Sequence, residues 1–272
     1  MKRIVLFFTF CLLMTGLSYH VYAQGGGLII TPKKLVFDKN QRIREVILAN
    51  RGDVEQKYRI SLVNKRMTQD GQLTEATEPA DGEFFASDVL SFSPRQVVLG
   101  PKETQKIRVM SRLRGNSADG EYRSHLLVQE VPEAKPAKDA TNSASKGQLG
   151  INVQAIFGIS IPVILRKGQL EAQVKLENPR LKKNEHGTFL DFDLIRSGNK
   201  SIVGTAKAFT GSQEIAILKN VAAYLSVPMR TVSLRIDSAY ATDLVGKQIR
   251  ITFGAEGENE DSPPAEITFS AK

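Results

Sequence analysis

Apolar and polar residues alternate along much of this chain with a period of two, the spacing that gives a β-strand one apolar and one polar face. The stretch INVQAIFGISIPVILR, Ile151 to Arg166, is the longest case. Ile151, Val153, Ala155, Phe157, Ile159 and Ile161 fall on one face, and the other face is mixed, with Asn152, Gln154, Ile156, Gly158 and Ser160. A strand of that length extends about 50 Å at about 3.3 Å per residue, whereas most strands have about 5–6 residues. Its length raises the question of what covers its apolar face.

The same alternation predicts further strands at Leu28–Phe37, with Pro32 as a bend or edge position, and at Arg44–Asn50, which ends in the turn Asn50-Arg51-Gly52. Glu55–Val63, Val89–Leu99, Thr104–Met110 and Glu121–Val131 follow. Gln69–Gly82 is polar and turn-rich and reads as a loop. Pro132–Gln148 has almost no large apolar residue and reads as a long loop that orders no core of its own. Strands at this spacing predict an immunoglobulin-like sandwich. After a hinge at Lys167-Gly168-Gln169, a second set follows at Leu170–Leu176, Thr188–Ile195, Ser201–Phe209, Glu214–Leu218, Thr231–Ile236, Gln248–Phe253 and Ala265–Ser270. The expected architecture is all-β: two immunoglobulin-like β sandwiches, 24–166 and 167–272, joined by a short hinge.

The N-terminus adds a destination. Lys2 and Arg3 precede an apolar run from Ile4 to about Leu17, and Val21-Tyr22-Ala23 supplies small residues at a cleavage site. Residues 1–23 thus read as a secretory signal peptide, with an apolar run shorter than the 18 or more residues that favour a membrane span. The formal net charge is +8, of which Lys2 and Arg3 account for two. The remaining basic residues are scattered and have few aromatic companions, which argues against nucleic acid as a partner. Cys11 is the only cysteine and lies inside the signal, so the mature chain has no disulfide and no thiolate metal site.

Catalytic constellations are missing. Beyond the signal, the histidines are His125 and His186, without the pairing of a zinc site, and neither GxSxG nor a glycine-rich phosphate loop occurs. His125 lies in an alternating strand and reads as structural. The acidic cluster Glu256–Asp261 fits no calcium-loop spacing and reads as a solvated turn. These observations predict a non-enzyme with no cofactor and no metal.

Three stretches resemble the periplasmic pilus-assembly chaperones of the PapD-like family. The first is FSPRQVVLGPKETQKIRV, Phe92 to Val109; the second is GEYRS from Gly120, continuing to Glu130-Val131-Pro132; the third is the long strand ending IPVILR at Arg166. The resemblance covers most of 28–166, and the second half shares only RSGNKSIVG and its general strand pattern. It implies a chaperone that caps pilus subunits by lending them a strand before delivery to an outer-membrane usher, with self-association when free of subunit. It further implies that Ile151, Val153, Ala155 and Phe157 are donor positions, while Ile159 and Ile161 belong to the chaperone's own core. Read from the residues alone, the whole face also fits the core of a solitary domain.

Carried over residue by residue, the family's cationic anchor for a subunit's C-terminal carboxylate falls on Lys34. The second basic position falls on Pro162, which leaves Lys33 or Lys167 to share that role. Glu121 and Arg166 match a pair within an interdomain salt bridge; its acidic partner in the second domain has no evident counterpart here. The long 132–148 loop without a disulfide resembles divergent branches of the family with a proline before the last stretch of the strand. The rival reading is an exported structural or adhesive β-sandwich protein of the cell surface. A carbohydrate-binding module fits less well, because the chain has no Trp to build a sugar platform.

Overall fold

The computed structural model describes residues 27–37, 41–132, 155–241, 244–255 and 264–271. The predicted signal peptide, most of the 132–148 loop and the start of the long strand through Gln154 lie outside the described residues.

Strands β1 (Leu28–Thr31), β3 (Ile43–Asn50), β9 (Thr104–Ser111) and β7 (Leu90–Ser93) form one sheet in that order. The facing sheet runs β2 (Leu35–Phe37), β11 (Gly158–Lys167), β10 (Gly120–Glu130), β4 (Gln56–Val63), β8 (Gln96–Leu99). Between them lie Leu48, Tyr58, Leu99, Ile107, Leu126 and Val163, all buried. Two stretches that read as single strands are each divided at a proline. The chain leaves β1 at Pro32 and rejoins the opposite sheet as β2; at Pro94 it crosses in the same way from β7 to β8. Proline cannot donate to a strand ladder, so the ladder stops there and the chain is free to change sheets. The segment expected to be a loop also contains strand. β6 (Leu73–Glu75) pairs with β5 (Lys65–Met67) in a hairpin that turns through Gly71 at φ +84°.

The turn after β3 is held by Asn50, which is buried. Its Nδ2 donates to the carbonyls of Val54 (2.7 Å), Leu99 (3.0 Å) and Gly100 (3.1 Å), and its Oδ1 accepts from the Gly52 amide (2.9 Å). Asn50→Ala removes all four, and hydrogen bonds of this kind contribute about 0.5–1.5 kcal/mol each. Urea unfolding of the first sandwich should show a loss of about 2–3 kcal/mol; a shift below a few tenths contradicts the clamp.

The second sandwich pairs a sheet of β12 (Ala172–Asn184), β13 (Gly187–Gly198) and β16 (Met229–Arg235) with a sheet of β15 (Gln213–Ala223), β14 (Ile202–Thr210), β17 (Gln248–Ala255) and β18 (Ala265–Ser270). β12 runs well past its expected end at Leu176. Asn178-Pro179 looks like a terminator, but a bulge between Glu177 and Arg180 absorbs it, with Asn178 at φ +50°, and pairing with β13 resumes.

The sandwiches are joined after β11 at Gly168, whose φ of +82° suits glycine and where a Cβ would lie 2.6 Å from the Asp119 carboxylate. They also pack on each other. Met67 of the β5–β6 hairpin meets Ala222, Tyr224 and Val227 in a small apolar cluster. The Thr231 amide donates to the Gln69 carbonyl across the junction at 2.8 Å.

Candidate functional site

β11 changes its surroundings along its length. At its C-terminal end it lies between β10 and β2, pairing with β2 in parallel from Val163↔Leu35 to Leu165↔Phe37. From Gly158 to Pro162 it keeps β10 on one side only, so among the described residues its other edge is open. The Glu130 amide donates to the Phe157 carbonyl at 2.9 Å, which fixes the phase of the ladder. Antiparallel pairing alternates, so Gly158 and Ser160 turn their N–H and C=O groups away from β10 toward that open edge. Pro162 shares their phase, and the N–H that proline lacks falls on the same side, where it breaks no bond to β10.

The side chains follow the same division. Val163 and Leu165 are in the core and Ile161 is 3% exposed, whereas Ile159 is 38% and Phe157 45% exposed, and Ala155 is exposed as well. One apolar row therefore leaves the sandwich between Ile161 and Ile159. The expectation that Ile159 belongs to the core is corrected: it is 38% exposed, because β2 pairs only from Val163 onward and no other described residue covers the strand further out. Of the four expected donor residues, Ala155 and Phe157 are placed on the exposed part of this row. Ile151 and Val153 lie outside the described residues.

Lys34 is exposed immediately before β2. The parallel register Val163↔Leu35 sets it level with Pro162, at the point where β2 gives way to the open edge. Lys33 is exposed beside it, whereas the Lys167 ammonium is already engaged by the Ser117 carbonyl and the Asp119 carboxylate (2.9 Å).

Beyond this edge, the outer face of β10 is buried by the second sandwich. Glu121, Arg123 and His125 alternate on that face and are all buried. Glu121 Oε2 accepts from Arg166 Nε and from the Ser201 amide, each at 3.1 Å, and Arg166 Nη2 donates to the Ser201 carbonyl at 3.4 Å. The predicted pair is thus brought together, and in the second sandwich it meets the Ser201 backbone. Arg196 is tied to the carbonyls of Gly198 (2.8 Å) and Leu225 (3.3 Å), and burial lowers its pKa while the Glu121 charge opposes that shift. The Arg123 guanidinium lies 4.0 Å over the Tyr224 ring, and burial lowers its pKa too, against the pull of Tyr224, Glu121 and Glu83. Sequence reasoning missed Arg123, Arg196, Tyr224 and Ser201. The available signal was the alternation Glu-x-Arg-x-His in β10, which resembles a solvated face until a second domain is set against it.

No family model and no curated protein matches the chain. Among solved structures, it is similar to the YadV chaperone, at 10% identity over 90% of this chain and 100% of that one, with a TM-score of 0.49. It is also similar to the chaperone–tip subunit pre-assembly complex of the archaic chaperone–usher Csu pili of Acinetobacter baumannii (16% identity, 91% and 100% covered, TM-score 0.46). A third is the Salmonella enterica SafA pilin in complex with the SafB chaperone (10% identity, 91% and 99% covered, TM-score 0.45).

Proposed function

We propose that this chain is an exported, non-enzymatic chaperone of pilus subunits that works in the periplasm by lending a subunit its long strand. The observation that carries this reading is the apolar row of β11 leaving the sandwich along an open strand edge. A bare edge of that kind invites pairing with another chain, and an extended segment with alternate apolar side chains is the complement of a sandwich that lacks a strand. Ile151, Val153, Ala155 and Phe157 fill the subunit's groove, and the outward N–H and C=O groups of Gly158 and Ser160 continue the ladder. Each large apolar side chain moved from water into the groove contributes about 1.5–3 kcal/mol, and each main-chain hydrogen bond about 0.5–1.5 kcal/mol. Apolar insertion dominates, and polar pairing sets the register.

Lys34 anchors the subunit's C-terminal carboxylate at the foot of the open edge, with Lys33 next to it, and Glu121 with Arg166 holds the angle between the sandwiches. The signal at residues 1–23 supports periplasmic export, and the loaded complex is handed to an outer-membrane usher. Co-expression with a pilus subunit tests the reading: the subunit should be recovered soluble in a one-to-one complex and lost without the chaperone. Subunits that stay insoluble while the chain itself polymerises on the cell surface favour the adhesive alternative. Lys34→Glu should reduce recovery of the complex about 10-fold or more, as expected for a charged contact worth about 1.4 kcal/mol or more. The melting temperature of the free protein should stay the same, because Lys34 is exposed. Undiminished recovery removes Lys34 from the anchor.

A further inference from the structure

His125 sits at the middle of the junction between the sandwiches. It is 1% exposed on β10, paired across the sheet with Val63 of β4 on one side and Pro162 of β11 on the other. From the second sandwich the Tyr224 ring meets it edge-on, with centroids 6.5 Å apart. Both imidazole nitrogens are buried without a hydrogen-bond partner. The charges that act on it are cationic: Arg123, two residues along the same face of β10, and Lys65 at the start of β5. Val63 and Pro162 carry no charge. Of the acids near this junction, Glu121 is held by Arg166 and Ser201, and Glu83 by Arg66 at 2.7 Å.

We infer that His125 is a pH-operated release of the contact between the two sandwiches: protonation of its imidazole beside Arg123 and Lys65 drives Tyr224 and the second sandwich away. A protonated imidazole has two N–H donors, and in the closed arrangement neither has an acceptor while two like charges oppose it. Separation at the Tyr224 contact gives those donors water, and the covalent hinge at Gly168 lets the sandwiches part without unfolding either core.

The sign follows from linkage. Burial first, then the Arg123 and Lys65 charges, hold the His125 pKa down at about 3 in the closed form, against an ordinary value of 6.5. Above about pH 6.5 both forms are neutral and the contact has its full strength. Between 6.5 and about 3 the open form alone binds the proton, so the open-to-closed ratio rises about tenfold per unit of falling pH. At pH 4.5 the rise is about 100-fold.

Amide exchange on the mature chain separates this from general acid unfolding. The Thr231 amide bonds across the junction to Gln69, whereas the Ile236 amide bonds to Thr188 within the second sandwich at 3.0 Å. Asp70, beside Gln69, accepts from Thr68 and from the Gln72 amide, which lowers its pKa and keeps it ionised at pH 4.5. Between pH 7.5 and 4.5 the protection factor of Thr231 should fall about 100-fold in the wild type, while that of Ile236 holds. In His125→Leu, which keeps an apolar side chain of similar volume, the Thr231 factor should hold as well. Thr231 protection that is steady with pH, that falls together with Ile236, or that falls equally in His125→Leu overturns the inference. If His125→Leu does not fold at pH 7.5, the wild-type comparison of Thr231 with Ile236 decides alone.

Discussion

Ile161→Asn unfolds the first sandwich, whereas Phe157→Asn, four residues earlier on the same face, leaves it intact and disables the strand. Ile161 is buried in the core. Its replacement forfeits about 1.5–3 kcal/mol of burial and leaves an amide without partners at about 1–3 kcal/mol, so urea denaturation should lose about 3–5 kcal/mol. Phe157 is 45% exposed in the free protein. Its replacement should move the free protein's stability by no more than about 0.5 kcal/mol. In the subunit's groove the same change removes the ring's burial and inserts an unpaired amide, so affinity for the subunit should fall by about 2–4 kcal/mol, roughly 30- to 1,000-fold. Equal destabilisation of the free protein by both substitutions would make the whole face core and end the donor reading.

Glu121→Ala carries the second largest expected effect. The Glu121 side chain is fully buried and the Arg166 side chain 19% exposed. Removing the carboxylate breaks the ion pair with Arg166, takes the acceptor from the Ser201 amide, and withdraws the negative charge that offsets buried Arg123 and Arg196. Breaking a buried pair from one side costs about 3–5 kcal/mol; Arg166 keeps some contact with water, which places this case near 3 kcal/mol. The loss falls on the junction rather than on either core, so small-angle scattering should show a more variable distance between the sandwiches. Glu121→Gln keeps an acceptor for Ser201 and should recover part of the loss. Scattering and stability both unchanged in Glu121→Ala would remove this carboxylate from the junction.

The all-β class and most strands were legible because a two-residue period needs no tertiary knowledge to read. The errors fell where one local signal has two structural outcomes. Pro32 was read as a bend or edge position and Val89–Leu99 as one strand through Pro94, whereas at both prolines the chain crosses between sheets; a bend within one strand and such a crossing look the same in sequence. The strand expected to end at Leu176 continues, because a bulge carries it through Asn178-Pro179. Ile159 and Ile161 are identical residues in the same phase of β11, and their different burial is set by the extent of β2, which pairs only as far back as Val163. The junction was the least legible part. Glu121 and Arg166 were found by resemblance, but Tyr224, Arg196 and the Ser201 backbone come from residues far along the chain, and only the docking of the two sandwiches brings them to β10.

The central claim is that the open edge of β11 pairs with a strand of another protein. The most direct test is amide exchange at Gly158 and Ser160, whose N–H groups point away from β10, in the free protein and in a co-purified complex with a pilus subunit. Donor-strand pairing predicts rapid exchange at both in the free protein and slowing of about 100-fold or more in the complex, with the Ile161 amide unchanged. A complex that forms while Gly158 and Ser160 exchange as fast as before would contradict it.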